Sequence, residues 1–533
     1  MKKNSFGTKT AIALAVAAFA AGAAVAADPA VKLEGDMTFT SDVVINKDTT
    51  GDTDNTWGFS PSVQPGDETT GFTNWVINGG TMTVQDYEIL AKKPAEGKTT
   101  GVLTLNAGTI NVEADKMTTT INGNHIAING GTINLTGNET YQAAFGSYDD
   151  FTMTGGTINV GQNGKVWLST DGGELSEDAT DRAMQLKGGT INLAGGKLAA
   201  GDENDADEIN LAGTTLNVKK IAEDGGQNIL QAQMITQDGS RVVLEEGSSL
   251  TIQSIHATNK ATASYTLKSG DFTIGKDATA SFGMDVDVAG GTITNNGGKF
   301  ESTGALTIRD GGKFTSALNG KTFAAATINL QDGGVLNLTE LNSKLEGGAL
   351  LVSGAGKTPL TVNLDGGEVR LNDSAYTGQY KIGEKTDVGI VNITSGEYHA
   401  SKIWFGAAEG NQLKVEAHSD LHVGLLDATN GQTVINGDLY ADKVQIGVAA
   451  TEETPATQGV GEHFDIGEHG YADIGEFVIN AGQTYTHDNG EMDIGTLTVA
   501  EGGAFKMTNG EVYTESENLV KEDLSGTKDG LSV

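Results

Sequence analysis

Apolar residues in this chain alternate with polar ones in short bursts, and each burst follows a glycine. The pattern is plainest at 129–135, Asn-Gly-Gly-Thr-Ile-Asn-Leu. It returns as Asn-Gly-Gly-Thr-Met-Thr-Val at 78–84, Asn-Ala-Gly-Thr-Ile-Asn-Val at 106–112, Thr-Gly-Gly-Thr-Ile-Asn-Val at 154–160 and Lys-Gly-Gly-Thr-Ile-Asn-Leu at 187–193. Ile133 and Leu135 share one face, as do Ile158 and Val160, or Ile191 and Leu193, while Thr and Asn take the other. A period of two residues marks a strand buried on one side. Glycine reaches positive φ without steric cost, so a tight turn is expected before each strand. One such strand cannot bury its apolar face alone, whereas a stack of them can.

The second glycines of these phrases are Gly80, Gly108, Gly131, Gly156 and Gly189, separated by 28, 23, 25 and 33 residues. Such gaps suit one coil of a β-solenoid with loops of variable length, for example at 92–97 and 202–208. No window sustains the 3.6-residue apolar period of a helical repeat. Beyond Val218 the phrase loosens, at 246–252, 268–274, 289–294, 310–315, 332–338 and 365–371, and some of these are expected to be second and third strands within a coil. Three Asp-Ile-Gly phrases, at 465–467, 473–475 and 493–495, mark a last set of short strands. The expected fold is all-β, an elongated right-handed parallel β-helix (β-solenoid) with a small N-terminal cap. A propeller is the alternative, weakened by the irregular repeat length. Asn134, Asn159 and Asn192 take matching outward places, where they form a ladder, or satisfy turns and cover a wet sheet face, or with the outward Thr bind glycans or a like molecule.

The ends read differently. Residues 1–26 have the three parts of a Sec-type signal peptide: Lys2, Lys3 and Lys9, an apolar run at 11–20, and Ala24-Val25-Ala26 before the cut. Residues 27–75, with Trp57, Trp75, Pro61 and Pro65, are expected to form the cap and a surface loop, since a bare solenoid end exposes strand edges. Repeats fill 76–513, with 452–462 as a linker or protruding loop, and 514–533 is a polar C-terminal tail.

Charge narrows the partners. The chain has 70 Asp+Glu against 34 Lys+Arg, a net −36, and losing the signal removes three lysines and no acid, leaving −39. A chain this acidic repels phosphate backbones, so nucleic acid is not an expected partner. With no cysteine, disulfide staples, thiol catalysis and Cys-zinc sites are excluded. Glycine stands at 75 residues and proline at only 6, which together argue against collagen-like or polyproline chains. No stretch of the mature chain is long and apolar enough for a transmembrane helix.

The signal peptide, the absence of cysteine and the Gly-Gly-Thr-(Ile/Leu)-(Asn/Thr)-(Leu/Val) phrases together resemble the passenger region of Gram-negative autotransporters and related adhesins. The resemblance covers about residues 76–513. It implies a non-enzymatic adhesin-like stalk at the cell surface or outside the cell. Its expected partners are surface glycans, host or bacterial surface proteins, or further copies of itself. Such proteins end in an outer-membrane β-barrel, which needs many amphipathic strands of about ten residues. None is read before Val533, so the expectation is a truncated passenger, a released protein, or one exported by a separate outer-membrane transporter, with the periplasm as the other destination.

Candidate chemistry is sparse. Ser-Gly-Ala-Gly-Lys-Thr at 353–358 has Leu351 where a phosphate loop needs glycine, and Pro359 follows where a helix should start. His418 and His422 share a strand face but stand about 13 Å apart at roughly 3.3 Å per residue, with no third ligand nearby. The acidic loop 202–208 offers oxygens for calcium but lacks an EF-hand glycine. Some β-helices are polysaccharide lyases or glycosidases, which pair carboxylates and often a cation across coils. Here only Asp310 beside Arg309, and Glu368 near Arg370, fit that pattern, and both fit surface ion pairs equally well. No catalytic, cofactor-binding or metal residue is therefore assigned, and no cofactor is expected.

Overall fold

The computed structural model describes residues 35–46, 72–90, 101–168, 183–201, 208–221, 226–254, 263–317, 323–331, 334–340, 349–352, 360–366, 368–371, 374–375, 378–383, 388–447, 464–514 and 519–521. The expected signal peptide at 1–26, the expected loops at 92–97 and 202–207, the 353–358 phrase, the 452–462 segment and most of the tail lie outside the described residues. Those described contain strands and turns without a helix; no helix among them is long and apolar enough to cross a membrane. They form a parallel β-solenoid, divided into two compact units, residues 1–284 and 285–533.

From Ala183–Leu186 to Ser249–Gln253 in the first unit each strand pairs in parallel with the third strand after it, which is one turn of a three-sided coil. Ala183–Leu186, Thr190–Leu193 and Lys197–Ala200 stack on Glu208–Ala212, Thr215–Val218 and Ile229–Gln231. Met234–Asp238, Ser240–Leu244 and Ser249–Gln253 follow as the next coil. Because the stacking is in register, equal positions of the phrase form columns. Ile133, Ile158, Ile191, Leu216, Val242 and Phe272 make one inner column, and all are fully buried. Burying each such side chain contributes about 1.5–3 kcal/mol. The alternation read from the sequence is thus the alternation of inside and outside.

The earlier segment stacks too. Gly35–Phe39 and Val43–Ile45 pair in parallel with Phe72–Gln85, and Phe39 meets the buried Trp75 edge-on at 5.3 Å. In the first repeats the glycines do not end a strand, contrary to the expected turn. Phe72–Gln85 and Val102–Glu113 run on through Gly80 and Gly108, with register shifts between Ile77 and Thr81. The ladder persists on both sides of the glycines, so the chain bends within a strand instead of leaving it.

The second unit is built around five long parallel strands, Gly389–Phe405, Ser419–Asp427, Asp438–Ile446, Tyr471–Ile479 and Glu491–Val499. Two of the Asp-Ile-Gly phrases therefore lie inside nine-residue strands, not in short ones. Their glycines are needed for backbone approach: a Cβ on Gly475 would stand 2.8 Å from the Asp442 carbonyl oxygen. Gln412–Val415, Gln432–Ile435 and Phe464–Ile466 form another side. Phe464, Phe477 and Tyr485 pack between these sides with ring centroids 5.0–5.9 Å apart.

Candidate binding face

Strand parity decides what the long strands of the second unit show to solvent. Leu421 and Val423 point in, so Asp420 and His422 point out. In-register stacking then aligns the outward positions of successive coils. One column runs His399, His422, Tyr440, Asp473, Asp493, Tyr513. Beside it runs Glu397, Asp420, Asp438, Tyr471, Glu491, Glu511.

The rings in the first column stack. His399 and His422 lie with centroids 4.6 Å apart and planes 18° apart, and His422 and Tyr440 lie 4.6 Å and 12° apart. Their faces cover one another, so the column presents polar edges, imidazole nitrogens and a phenol oxygen. Glu397 closes its end: its Oε1 stands 3.0 Å from His399 Nε2 and 3.3 Å from His422 Nε2. Further along, the Tyr471 hydroxyl donates to Asp493 at 2.9 Å. Partial burial, then that hydrogen bond and the carboxylates around it, push the Tyr471 hydroxyl up to about 12. Tyr440 is raised as well, by desolvation first and then by Asp438, Asp420 and Asp473.

These columns border an open depression of about 740 Å³, lined among others by His399, His422, Tyr440, Asp442 and Asp473. Among the described residues, no lysine or arginine lines it. Two lysines of the same strands are engaged elsewhere, Lys443 with Glu476 at 2.9 Å and Lys402 over the Trp404 ring at 4.8 Å. The depression is therefore polar and negative. It suits hydroxyl-rich, amino-bearing or cationic ligands and disfavours anions.

A second cluster lies in the first unit. His125 Nδ1 is 2.8 Å from Asp150, and Nε2 is 3.4 Å from Asp149. The Asp150 hydrogen bond raises the imidazole pKa against the opposing effect of burial. Each ring nitrogen has its own carboxylate, the arrangement of a doubly paired imidazolium.

Of the residues singled out from the sequence, Arg309 and Asp310 meet, but no catalytic grouping forms around them among the described residues. Arg309 binds Asp287 at 2.7 Å and also Asp310, with all three side chains partly exposed, which is a surface ion-pair network. Glu368 and Arg370 lie in the strand Glu368–Leu371, but their side chains are outside the described residues. His418 occupies a turn at φ +73° and is not in the His422 column. The partner of His422 is His399, one coil earlier. Sequence reasoning missed that pair because it searched within a strand for ligand spacing. A signal was present: Gly-Glu-Tyr-His at 396–399, Ser-Asp-Leu-His at 419–422, Gly-Asp-Leu-Tyr at 437–440, Gly-Glu-Met-Asp at 490–493 and Gly-Glu-Val-Tyr at 510–513 repeat one phrase, small–acid–apolar–outward polar group.

The outward asparagines do form a ladder. Asn134 donates to Asn111 at 2.8 Å, Asn159 to Asn134 at 2.7 Å, Asn192 to Asn159 at 2.7 Å and Asn217 to Asn192 at 2.9 Å. The second unit repeats the device with Asn329, Asn363 and Asn392. Their amides satisfy one another, which makes them architecture and leaves the His–Tyr–Asp columns as the chemically open surface. The sequence matches no known protein family, and comparisons with curated proteins and with solved structures return no match.

Proposed function

We propose that this chain is an exported, non-catalytic binding protein of the autotransporter-passenger kind. It acts at the cell surface or outside the cell in adhesion or self-association. The observation that carries the reading is the acidic, ring-edged face from His399 to Asp493. A solenoid repeats one set of hydrogen-bonding groups at the strand spacing of about 4.8 Å. Such a row meets a partner that is itself a polymer, many weak contacts adding up as they do in other multivalent systems. The carboxylates accept from hydroxyl and amino groups, so neutral or amino-bearing surface glycans are the favoured ligands. The signal-like residues 1–26 supply the export step.

Two measurements test the reading. Cells and medium are fractionated and probed for the mature chain, with external protease added to intact cells. Protease-sensitive material on the outer surface is the expected result; material confined to the periplasm would remove the adhesion role. In parallel, purified mature chain is applied to a panel of neutral, amino-bearing and anionic glycans. Binding to the first two and not the third is expected, with Tyr440→Ala or Asp473→Asn lowering affinity about tenfold, the loss of roughly 1.4 kcal/mol. New reducing ends or unsaturated products in the same mixtures would instead support the lyase or glycosidase reading.

A further inference from the structure

We infer that Glu397, His399 and His422 form a binding site for a divalent transition-metal ion of the zinc type. The argument starts from convergence. Glu397 and His399 are two apart on one strand and share its outer face, and His422 is placed beside His399 by the pairing of neighbouring coils. The three ligand atoms all lie within 4.8 Å of one another. The two carboxylate-to-imidazole separations are 3.0 and 3.3 Å, both ending on the same Glu397 oxygen. Bonds of about 2.0–2.2 Å to a tetrahedral ion put neighbouring ligand atoms roughly 3.3 Å apart. Two of the three separations thus already match the spacing an ion requires, and the third, between the two imidazole nitrogens, is within 4.8 Å. The two imidazoles are stacked with planes 18° apart, so their in-plane lone pairs run nearly parallel, and the rings, 51% and 35% exposed, turn out of the stack to converge on the ion with the 58% exposed Glu397.

The donor set selects the ion. Two imidazoles and one carboxylate suit zinc, copper or nickel, whereas calcium and magnesium take oxygen ligands. Three protein ligands leave outer positions for water, which the open face supplies. The acidic column continues from Glu397 into Asp420 and Asp438, so the local potential attracts a cation, and among the described residues no lysine or arginine lines the adjoining depression. The His125 cluster makes a useful contrast. There each ring nitrogen is taken by a separate carboxylate, and the imidazole is stabilised in its protonated form, which opposes metal binding. At His399 and His422 the nitrogens share one oxygen instead. The site would bind its metal whether or not the adhesion reading holds, because neither observation depends on a glycan.

The test is calorimetric titration of the untagged mature chain with zinc alone, and separately with calcium. One equivalent of zinc is expected to bind at this site, and calcium is not expected to compete. His399→Ala and His422→Ala should each weaken zinc binding by at least the roughly 10- to 100-fold that loss of an outer partner of a metal ligand causes. Glu397→Gln, which keeps the shape of the side chain, should weaken it too, while His418→Ala should leave it unchanged. All four side chains belong to the solenoid surface, and circular dichroism of each variant confirms that the fold is retained. Zinc binding that survives in the His399→Ala/His422→Ala double variant, or no zinc binding by the unmodified chain, would overturn the inference.

Discussion

Gly130 and Gly131 adjoin in the sequence and resist a side chain for different reasons. A Cβ on Gly130 would stand 2.5 Å from the Asn106 carbonyl oxygen, a clash with the coil beneath. Gly131 is at φ +76°, and its Cβ would also lie 2.7 Å from the Gly108 oxygen. Gly213 in the same unit has the same φ of +76° but nothing nearer than 3.6 Å. Gly213→Ala is therefore expected to cost only the left-handed penalty of about 1–2 kcal/mol. Gly131→Ala should cost clearly more, and thermal melts of the two variants compare them directly. His487 supplies a pH test at the same scale. It is 1% exposed, and burial holds its pKa below the ordinary 6.5. On acidification the unfolded chain takes up a proton near 6.5 before the folded one does, so this contribution to stability is full above that value and is lost as pH falls below it. His125, with its pKa raised, has the opposite sign: its contribution is full below 6.5 and fades as pH rises through the folded value. Urea unfolding at pH 7 and pH 5 should show acid destabilisation that shrinks in His487→Leu; an unchanged difference would remove His487 as its source.

Elements here are ladders more than strands. The asparagine amides of the first unit all donate toward the preceding coil, so their dipoles align and each bond polarises the next. Position in the ladder then sets the cost of a break. Asn159→Ala removes two amide bonds, to Asn134 and from Asn192. Asn217→Ala removes the one to Asn192. At about 0.5–1.5 kcal/mol per bond, the inner variant should lose roughly twice as much stability in denaturant titrations; equal losses would mean that the amides contribute little beyond covering the sheet. This element was readable in advance, since the same phrase carries Asn at the same place each time. The His399–His422–Tyr440 column was harder to read, because its outward position changes identity from coil to coil and even the acid two residues before it gives way to Tyr471 in one coil.

Across the whole molecule the excess of acid is a standing load. The chain is at −36, and in the second unit Glu397, Asp420 and Asp438 lie on adjacent coils. Like charges at strand spacing repel, and salt screens them over a Debye length of about 8–10 Å near physiological strength. Raising salt from low to physiological levels should therefore raise the melting temperature. A fall would show that ion pairs such as Lys219–Glu245 outweigh the repulsion.

The sequence by itself determined the period-two strands, the inward identity of Ile133, Ile158, Ile191 and their equivalents, and the need for glycine where the chain bends. These follow from local geometry: a side chain's face depends only on its neighbours in the same strand. Outside the asparagine ladder, which outward residues meet was decided by tertiary structure. His399 and His422 are 23 residues apart, His422 and Tyr440 are 18, and Tyr440 and Asp473 are 33, yet each pair sits in one column. Loops of unequal length lie between coils, so sequence separation carries no fixed phase. Only the hydrogen-bonded register of stacked strands sets which side chains face one another.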